Sequence, residues 1–320
     1  MNTEYQDFDH GITAIDSRFV RPRLAAIHLI VERGQAAIID TGINYSFPYL
    51  LETLNSKGLS PHDVAYVIVT HVHLDHAGAA GLMMQQFPNA RLVVHPRGAR
   101  HMIDPTNLVA GASAVYGEAT VRQTYGEIIP VTPERVIMAP DNFELDFNGR
   151  KLIFLDTPGH ARHHFCIWDE CSHSVFSGDT FGISYREFDV DGREFIFPTC
   201  TPVQFEPDAA HASIDRIMAL EPAQIYLTHY SRITQLERLA ADLHHMLEAY
   251  VELGIRLHKA GKNRHERLKA GVEEIMLQAL QAHGCNLPLE EISRLLGMDF
   301  ELNAQGIGVW LNKSSGSQRT

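Results

Sequence analysis

The chain has 320 residues, 45% of them hydrophobic, and a formal net charge of −12. That is enough apolar material for one large domain and a smaller appendage, and the acidic balance argues against nucleic acid, whose phosphates call for clustered Lys and Arg. The polar start from Met1 to Asp7 offers no secretion signal, no run is long enough to span a bilayer, and four cysteines lack metal-type or disulfide-framework spacing, so a cytoplasmic protein without membrane partners is expected.

Gln35 to Ile39 reads as an apolar strand running into Asp40-Thr41-Gly42. Asp63 to Thr70 is β-branched and apolar, a buried strand, and Ala79 to Phe87 has helical composition. Between them stands His71-Val72-His73-Leu74-Asp75-His76, three imidazoles and a carboxylate on a strand-to-helix turn. They look like a metal cage. His71 and His73 are two apart and face one side of an extended chain, while neutral imidazole with carboxylate suits zinc, iron or manganese. The helical His-Glu-x-x-His arrangement needs a different spacing and is not what this is.

Arg91 to Val94 is a further strand, followed by a long irregular segment with Asp104-Pro105 through Tyr125-Gly126. A stretch of that length is either a lid over the site or a surface insertion; the lid is the preferred reading, with Tyr116 and Tyr125 as candidate substrate contacts. Lys151 to Leu155 then runs into Asp156-Thr157-Pro158-Gly159-His160, Ser174 to Gly178 into Asp179, and Ala223 to Thr228 into His229. Gly and Pro let the backbone bend so that each polar residue projects from a sheet edge. His163 and His164 enter the strand Phe165 to Trp168 and, by alternation, face opposite sides. Thr180 to Arg186 follows Asp179 and places Tyr185 and Arg186 as substrate-contact candidates.

After Ser231 the pattern turns helical, with Leu236, Leu239, Ala240, Leu243, Met246 and Leu247 at helical spacing. Two more helices are expected over Glu273 to Ala282 and Leu289 to Leu296, and disorder in the polar tail Lys313 to Thr320. This divides the chain into residues 1–231 and a helical region, residues 232–320. A basic group from Arg256 to Lys269 reads as a solvated helix surface, with an anionic substrate tail as the competing role.

These motifs, in this order, closely resemble the metallo-β-lactamase-fold hydrolases over roughly Ile12 to Ser231: the His-x-His-x-Asp-His run, the Thr-Pro-Gly-His160 turn, the Ser-Gly-Asp179 turn and the late His229. The resemblance implies an α/β fold, a four-layer αββα sandwich, here with a C-terminal helical extension like that of glyoxalase II enzymes. It implies that His71, His73 and His160 hold one metal, that Asp75, His76 and His229 hold the second, that Asp179 bridges them, and that Asp40 orients ligands through hydrogen bonds. Tyr185 loosely resembles a tyrosine that related lactonases carry downstream of the equivalent aspartate. Two divalent ions, zinc first and iron or manganese as alternatives, would supply a bridging hydroxide for cleaving a small ester, thioester or lactone, with Asp75 passing a proton to the leaving group. The rivals are a phosphodiesterase, a diiron protein reacting with oxygen or nitric oxide, whose family places Glu where His73 stands, and a regulatory protein that keeps the fold. The partner expected is a small-molecule substrate; the oligomeric state, a homo-oligomer included, stays open.

Overall fold

In the computed structural model, which describes residues 3–316, the apolar runs become two mixed sheets. The first has the order β1 (Tyr5–Asp7), β2 (Ile12–Asp16), β3 (Ala26–Glu32), β4 (Gln35–Ile39), β5 (Val64–Ile68), β6 (Arg91–Val94), β7 (Val136–Met138). The second comprises β8 (Phe143–Phe147), β9 (Arg150–Asp156), β10 (Phe165–Asp169), β11 (Ser174–Gly178), β12 (Gln224–Leu227) and β13 (Ser231–Ile233), each hydrogen-bonded to the next. Pairs joined by short turns are antiparallel. The β4–β5, β5–β6, β6–β7 and β11–β12 pairs are parallel, because a parallel pair needs a crossover long enough to return the chain to the same end. Those crossovers carry the helices α1 (Phe47–Ser56); α2 (Leu74–Ala77) and α3 (Ala80–Gln86); α4 (Pro96–Ile103), α5 (Thr106–Tyr116) and α6 (Glu118–Tyr125); and α7 (Pro207–Met218).

Strand alternation builds two cores. Ile12, Ile30, Ala37, Ile39, Ile68 and Val93 of the first sheet meet Phe147, Phe154, Phe165, Ile167 and Phe176 of the second. On the other face of the first sheet, Ile27, Leu29, Ile38 and Val67 pack with Leu50, Leu54, Met83 and Phe87. Neighbours such as Ala37 and Ile38 thus enter different cores, as the two-residue period of a strand requires.

The chain forms two compact units. The first contains the residues up to Asp156, His163–Gly178 and Pro222–Arg232; the second contains Thr157–Arg162, Asp179–Glu221 and the residues from Ile233 onward. In the second unit α8 (Leu236–Leu257), α9 (Arg264–His283) and α10 (Leu289–Gly316) follow α7. On α8, Leu236, Leu239, Leu243, Met246, Leu247 and Tyr250 make the buried stripe.

The fold is the expected α/β sandwich class with C-terminal helices, and three local expectations change. The segment after β6 is largely helical. Its α5 has no fully buried residue, so the periodicity that announces a helix is faint, and Gly117 and Gly126, both at positive φ, end α5 and α6. The last two helices run further than their apolar cores suggested. Within α10, a Cβ on Gly306 would stand 1.4 Å from the carbonyl oxygen of Cys200; close approach is what this glycine permits. Part of the basic group is also structural, since His265 and Lys269 on α9 each reach Glu301 on α10 at 2.9 Å. The expected disordered tail begins inside α10, and its residues 317–320 lie outside the described residues, as do Met1 and Asn2. No helix among the described residues is long and apolar enough to cross a membrane.

Candidate metal centre

In the first unit, β4 stops at Asp40, a fully buried carboxylate on a residue with φ of 55°. Few non-glycine residues take that conformation. It aims the side chain at the ends of neighbouring strands: Oδ1 accepts from the Thr70 amide at 2.8 Å and hydroxyl at 2.9 Å, and Oδ2 accepts from the Thr228 hydroxyl at 2.6 Å and faces His76 Nδ1 at 2.7 Å. The Asp40-Thr41-Gly42 turn also grips the ligand-bearing turn, because Thr41 donates its amide and hydroxyl to the His76 carbonyl at 2.7 and 2.9 Å.

Beyond β5 the chain bends at Thr70 and His71 and is extended again at His73, whose carbonyl accepts from the amides of His76 and Ala77 at 3.1 and 2.9 Å. That short turn of α2 brings Asp75 and His76 to the same place. With Nδ1 donating to Asp40, His76 turns Nε2 toward Asp75, 3.6 Å away. His229, just after β12, is arranged likewise: Nδ1 donates to the Leu24 carbonyl at 2.8 Å and Nε2 lies 3.3 Å from Asp75 Oδ2. One donor atom each from Asp75, His76 and His229 fall within 4.8 Å of one another, a spacing that can hold a metal ion. His71 and His73 stand beside them, with His71 Nε2 2.8 Å from His73 Nδ1 and the His71 ring 4.0 Å from that of His76. Imidazoles with one nitrogen fixed by an acceptor and the other turned to a shared point are set up for a cation.

His163 and His164 do not separate to opposite faces. The His164 ring stacks on His71 at 4.8 Å, and His163 stands 5.6 Å from His73 with the Val72 amide 3.5 Å from its Nδ1. Both precede β10, where strand alternation does not yet apply. Gly178 makes room for this layer: at φ of 50°, its absent Cβ would lie 2.6 Å from both His164 Nε2 and Thr70 Oγ1.

In the second unit, the Thr157–Arg162 turn is pinned by the Glu206 amide on the Gly159 carbonyl at 2.8 Å and the Ser213 hydroxyl on the Pro158 carbonyl at 2.6 Å. His160 Nδ1 donates to the Thr199 carbonyl at 3.1 Å, which leaves Nε2 3.5 Å from Asp179 Oδ2. Both residues are buried. They share a cavity of about 10 Å³ with Ala210, Ile214 and Leu243, room for about one water and no more. Tyr185 is buried against Phe197, its hydroxyl 3.4 Å from the Asp299 carboxylate. Arg186 donates to the Ser184 carbonyl at 3.1 Å and pairs with Asp189 at 3.3 Å; burial pushes that carboxyl up to about 6.

The structure thus gathers His71, His73, Asp75, His76, His229 and Asp40 in one unit and pairs His160 with Asp179 in the other. Thr70, Thr228 and the carbonyls of Leu24 and Thr199 were not singled out from sequence. For the threonines a signal existed: Thr-His follows both β5 and β12. The carbonyls have none, since any residue type supplies one.

Residues 20–229 match the family model described as the metallo-beta-lactamase superfamily. A metallo-beta-lactamase fold-containing protein of Sulfurisphaera tokodaii is 24% identical over 226 residues, 69% of this chain and 77% of that protein. A probable hydroxyacylglutathione hydrolase of Schizosaccharomyces pombe is 23% identical over 225 residues, 69% of this chain and 71% of its own length. Among solved structures, a metallo-beta-lactamase family protein of Thermus thermophilus superposes with a TM-score of 0.66 at 19% identity, covering 95% of this chain and 94% of its own.

Proposed function

The chain belongs to the metallo-beta-lactamase superfamily, and on that premise we propose that it is a dinuclear metal-dependent hydrolase of a small ester, thioester or lactone. The observation that carries this reading is the Asp75, His76 and His229 group, three donors within 4.8 Å, with the far nitrogens of both histidines tied to Asp40 and Leu24. That donor set fits a divalent cation of the zinc, iron or manganese kind. His71, His73 and His160 are assigned to a first ion, Asp75, His76 and His229 to a second, and Asp179 to both.

Such ions supply Lewis acidity and acidify water to near-neutral pKa. The protein's part is orientation and proton handling. Asp40 keeps His76 in one tautomer, and Thr70 and Thr228 hold the Asp40 carboxylate in place by donating to it. Asp75, partly exposed where His76 and His229 are buried, is the carboxylate placed to hold a leaving-group proton. A thioester is favoured among the substrate classes, in keeping with the hydroxyacylglutathione hydrolase relative.

Elemental analysis of metal-replete protein, paired with a panel of thioesters, esters, lactones and phosphodiesters, tests the reading. Two ions per chain and carboxyl-transfer turnover equal with and without air are expected. Asp179→Ala should lower both metal content and rate, whereas Cys166→Ala, buried in β10, should leave both unchanged. At most one ion per chain rejects the dinuclear centre, and turnover that consumes oxygen rejects hydrolysis.

A further inference from the structure

In the second unit, α7 and α8 meet through a pair of half-buried histidines that the candidate centre does not use. His211 Nδ1 lies 2.6 Å from His244 Nδ1, with the ring planes 3° and the ring centres 4.9 Å apart. Stacked faces stand about 3.5–4.0 Å from one another, and parallel planes whose nitrogens are 2.6 Å apart are closer than that. The rings therefore meet edge to edge, nitrogen to nitrogen. The Asp215 carboxylate, one turn after His211 on α7, is 3.1 Å from His244 Nε2. A carboxylate accepts, so neutral His244 carries its proton on Nε2, its Nδ1 is bare, and the proton between the rings belongs to His211.

That contact has room for one proton and no second. A first added proton can charge His211 at its other nitrogen and leave the bond in place. With both imidazoles charged, each Nδ1 carries a hydrogen and the two donors repel. The acidic neighbours favour protonation: Asp208 and Asp215 stand one turn either side of His211, and Glu248 one turn after His244. Among the cations of these elements, Arg216 follows Asp215, Arg238 of α8 is engaged by Asp242 at 2.8 Å, and Arg162 of the Thr157–Arg162 turn by Glu206 at 2.7 Å. His245, beside His244, is exposed.

α7 is also the seat of the His160 turn. Its Ser213 hydroxyl and the preceding Glu206 amide hold the Pro158 and Gly159 carbonyls, and a Cβ on Gly159 would lie 2.5 Å from the Ala210 Cα. Ala210 and Leu243, the residues before His211 and His244, line the cavity that His160 and Asp179 share. We propose that His211 and His244 form an acid-sensitive clasp: sharing one proton, they hold α7 to α8 and His160 in its seat, and when both are charged α7 is released. The clasp works whatever reaction the centre performs.

The closed pair takes up at most one added proton and the open pair two. Opening should therefore gain up to about tenfold per pH unit as acid is added through the range where imidazoles ordinarily titrate, about pH 6.5 to 5. Hydrogen exchange of the full-length, metal-loaded protein, read by mass spectrometry and corrected for the intrinsic rate at each pH, follows it on peptides of α7 and α8. Wild-type protection in α7 should be about tenfold lower at pH 5 than at pH 7.5, with β5 of the first unit level. In His211→Gln the side-chain amide accepts or donates as His244 requires, so protection should no longer depend on pH. His244→Gln is the reciprocal variant with the same expectation, and either one that folds decides. Release of metal in acid would loosen wild type and variants alike. That result, flat protection in wild type, or a uniform loss across the chain would overturn the clasp.

Discussion

His76 and His28 are both buried and both lie near Asp40, yet they belong to different chemical regions. His76 sits on the polar rim where strands end, with Nδ1 on the Asp40 carboxylate at 2.7 Å. His28 lies one strand away on β3, opposite Ile39, edge-on to the stacked rings of Phe176 and Tyr226 at 5.5 Å each. Its Nε2 has no hydrogen-bond partner among the described residues, and burial pushes its pKa down to about 4 despite the charge of Asp40. A histidine becomes a ligand where turns deliver an acceptor to one nitrogen; inside a sheet core the same ring is a neutral aromatic. The rim concentrates hydrogen-bond donors on one carboxylate, and the core excludes them.

The sharpest way to break this contrast is Asp40→Ala. It strips the acceptor from His76, Thr70 and Thr228 together at a fully buried position, so a loss of about 3–5 kcal/mol in denaturant unfolding is expected, along with metal affinity weakened about 10- to 100-fold. A variant less than about 1 kcal/mol down would mean that the rim is not held by this carboxylate. Gly178→Ala comes next. Its Cβ would press on Thr70 and His164 at 2.6 Å from a backbone at φ of 50°, which should cost about 1–3 kcal/mol. Gly34→Ala is the control, with a φ of 78° but no atom within 4 Å; if the two cost the same, backbone strain and not the histidine layer explains Gly178.

His28→Leu probes the core side through pH. The folded pKa of about 4 lies below the ordinary 6.5, so the unfolded chain takes up the proton first and wild-type stability falls as pH drops from about 6.5 to about 4. The leucine variant should lose less stability across that window, by at most about 1.4 kcal/mol per pH unit. Identical acid profiles would show that His28 is not a buried neutral group. The smallest effect is expected at Glu301→Gln on α10. Hydrogen bonds from Gln305 and then Lys269 hold Glu301 down at about 2, so the stability it adds is present above its ordinary 4.5 and is lost as pH falls toward 2. Being partly exposed, the group is worth about 0–1 kcal/mol, and thermal melts of the variant should differ from wild type above pH 5 and converge near pH 2.

What the sequence determined by itself was local. The strands ending at Asp40, His71, Asp179 and His229 are legible because a β-branched run followed by Gly, Pro or a polar turn residue states both the strand and its end within ten residues, and the sandwich class follows from their alternation with helices. Residue chemistry named the metal-ligand candidates without reference to anything distant. The tertiary structure decided the rest. Asp40 and Thr228 meet across 188 positions, and nothing in either neighbourhood announces the other. The pair α5 and α6 was read as irregular because half-exposed helices carry a faint apolar stripe. At Gly306 composition records a missing side chain but not the carbonyl of Cys200 that fills its place. His28 was one of nineteen histidines until a stacked pair of aromatic rings packed against it. Long-range partners of this kind arise only when the chain is closed, since burial and hydrogen-bond satisfaction are properties of the packed molecule and not of any segment.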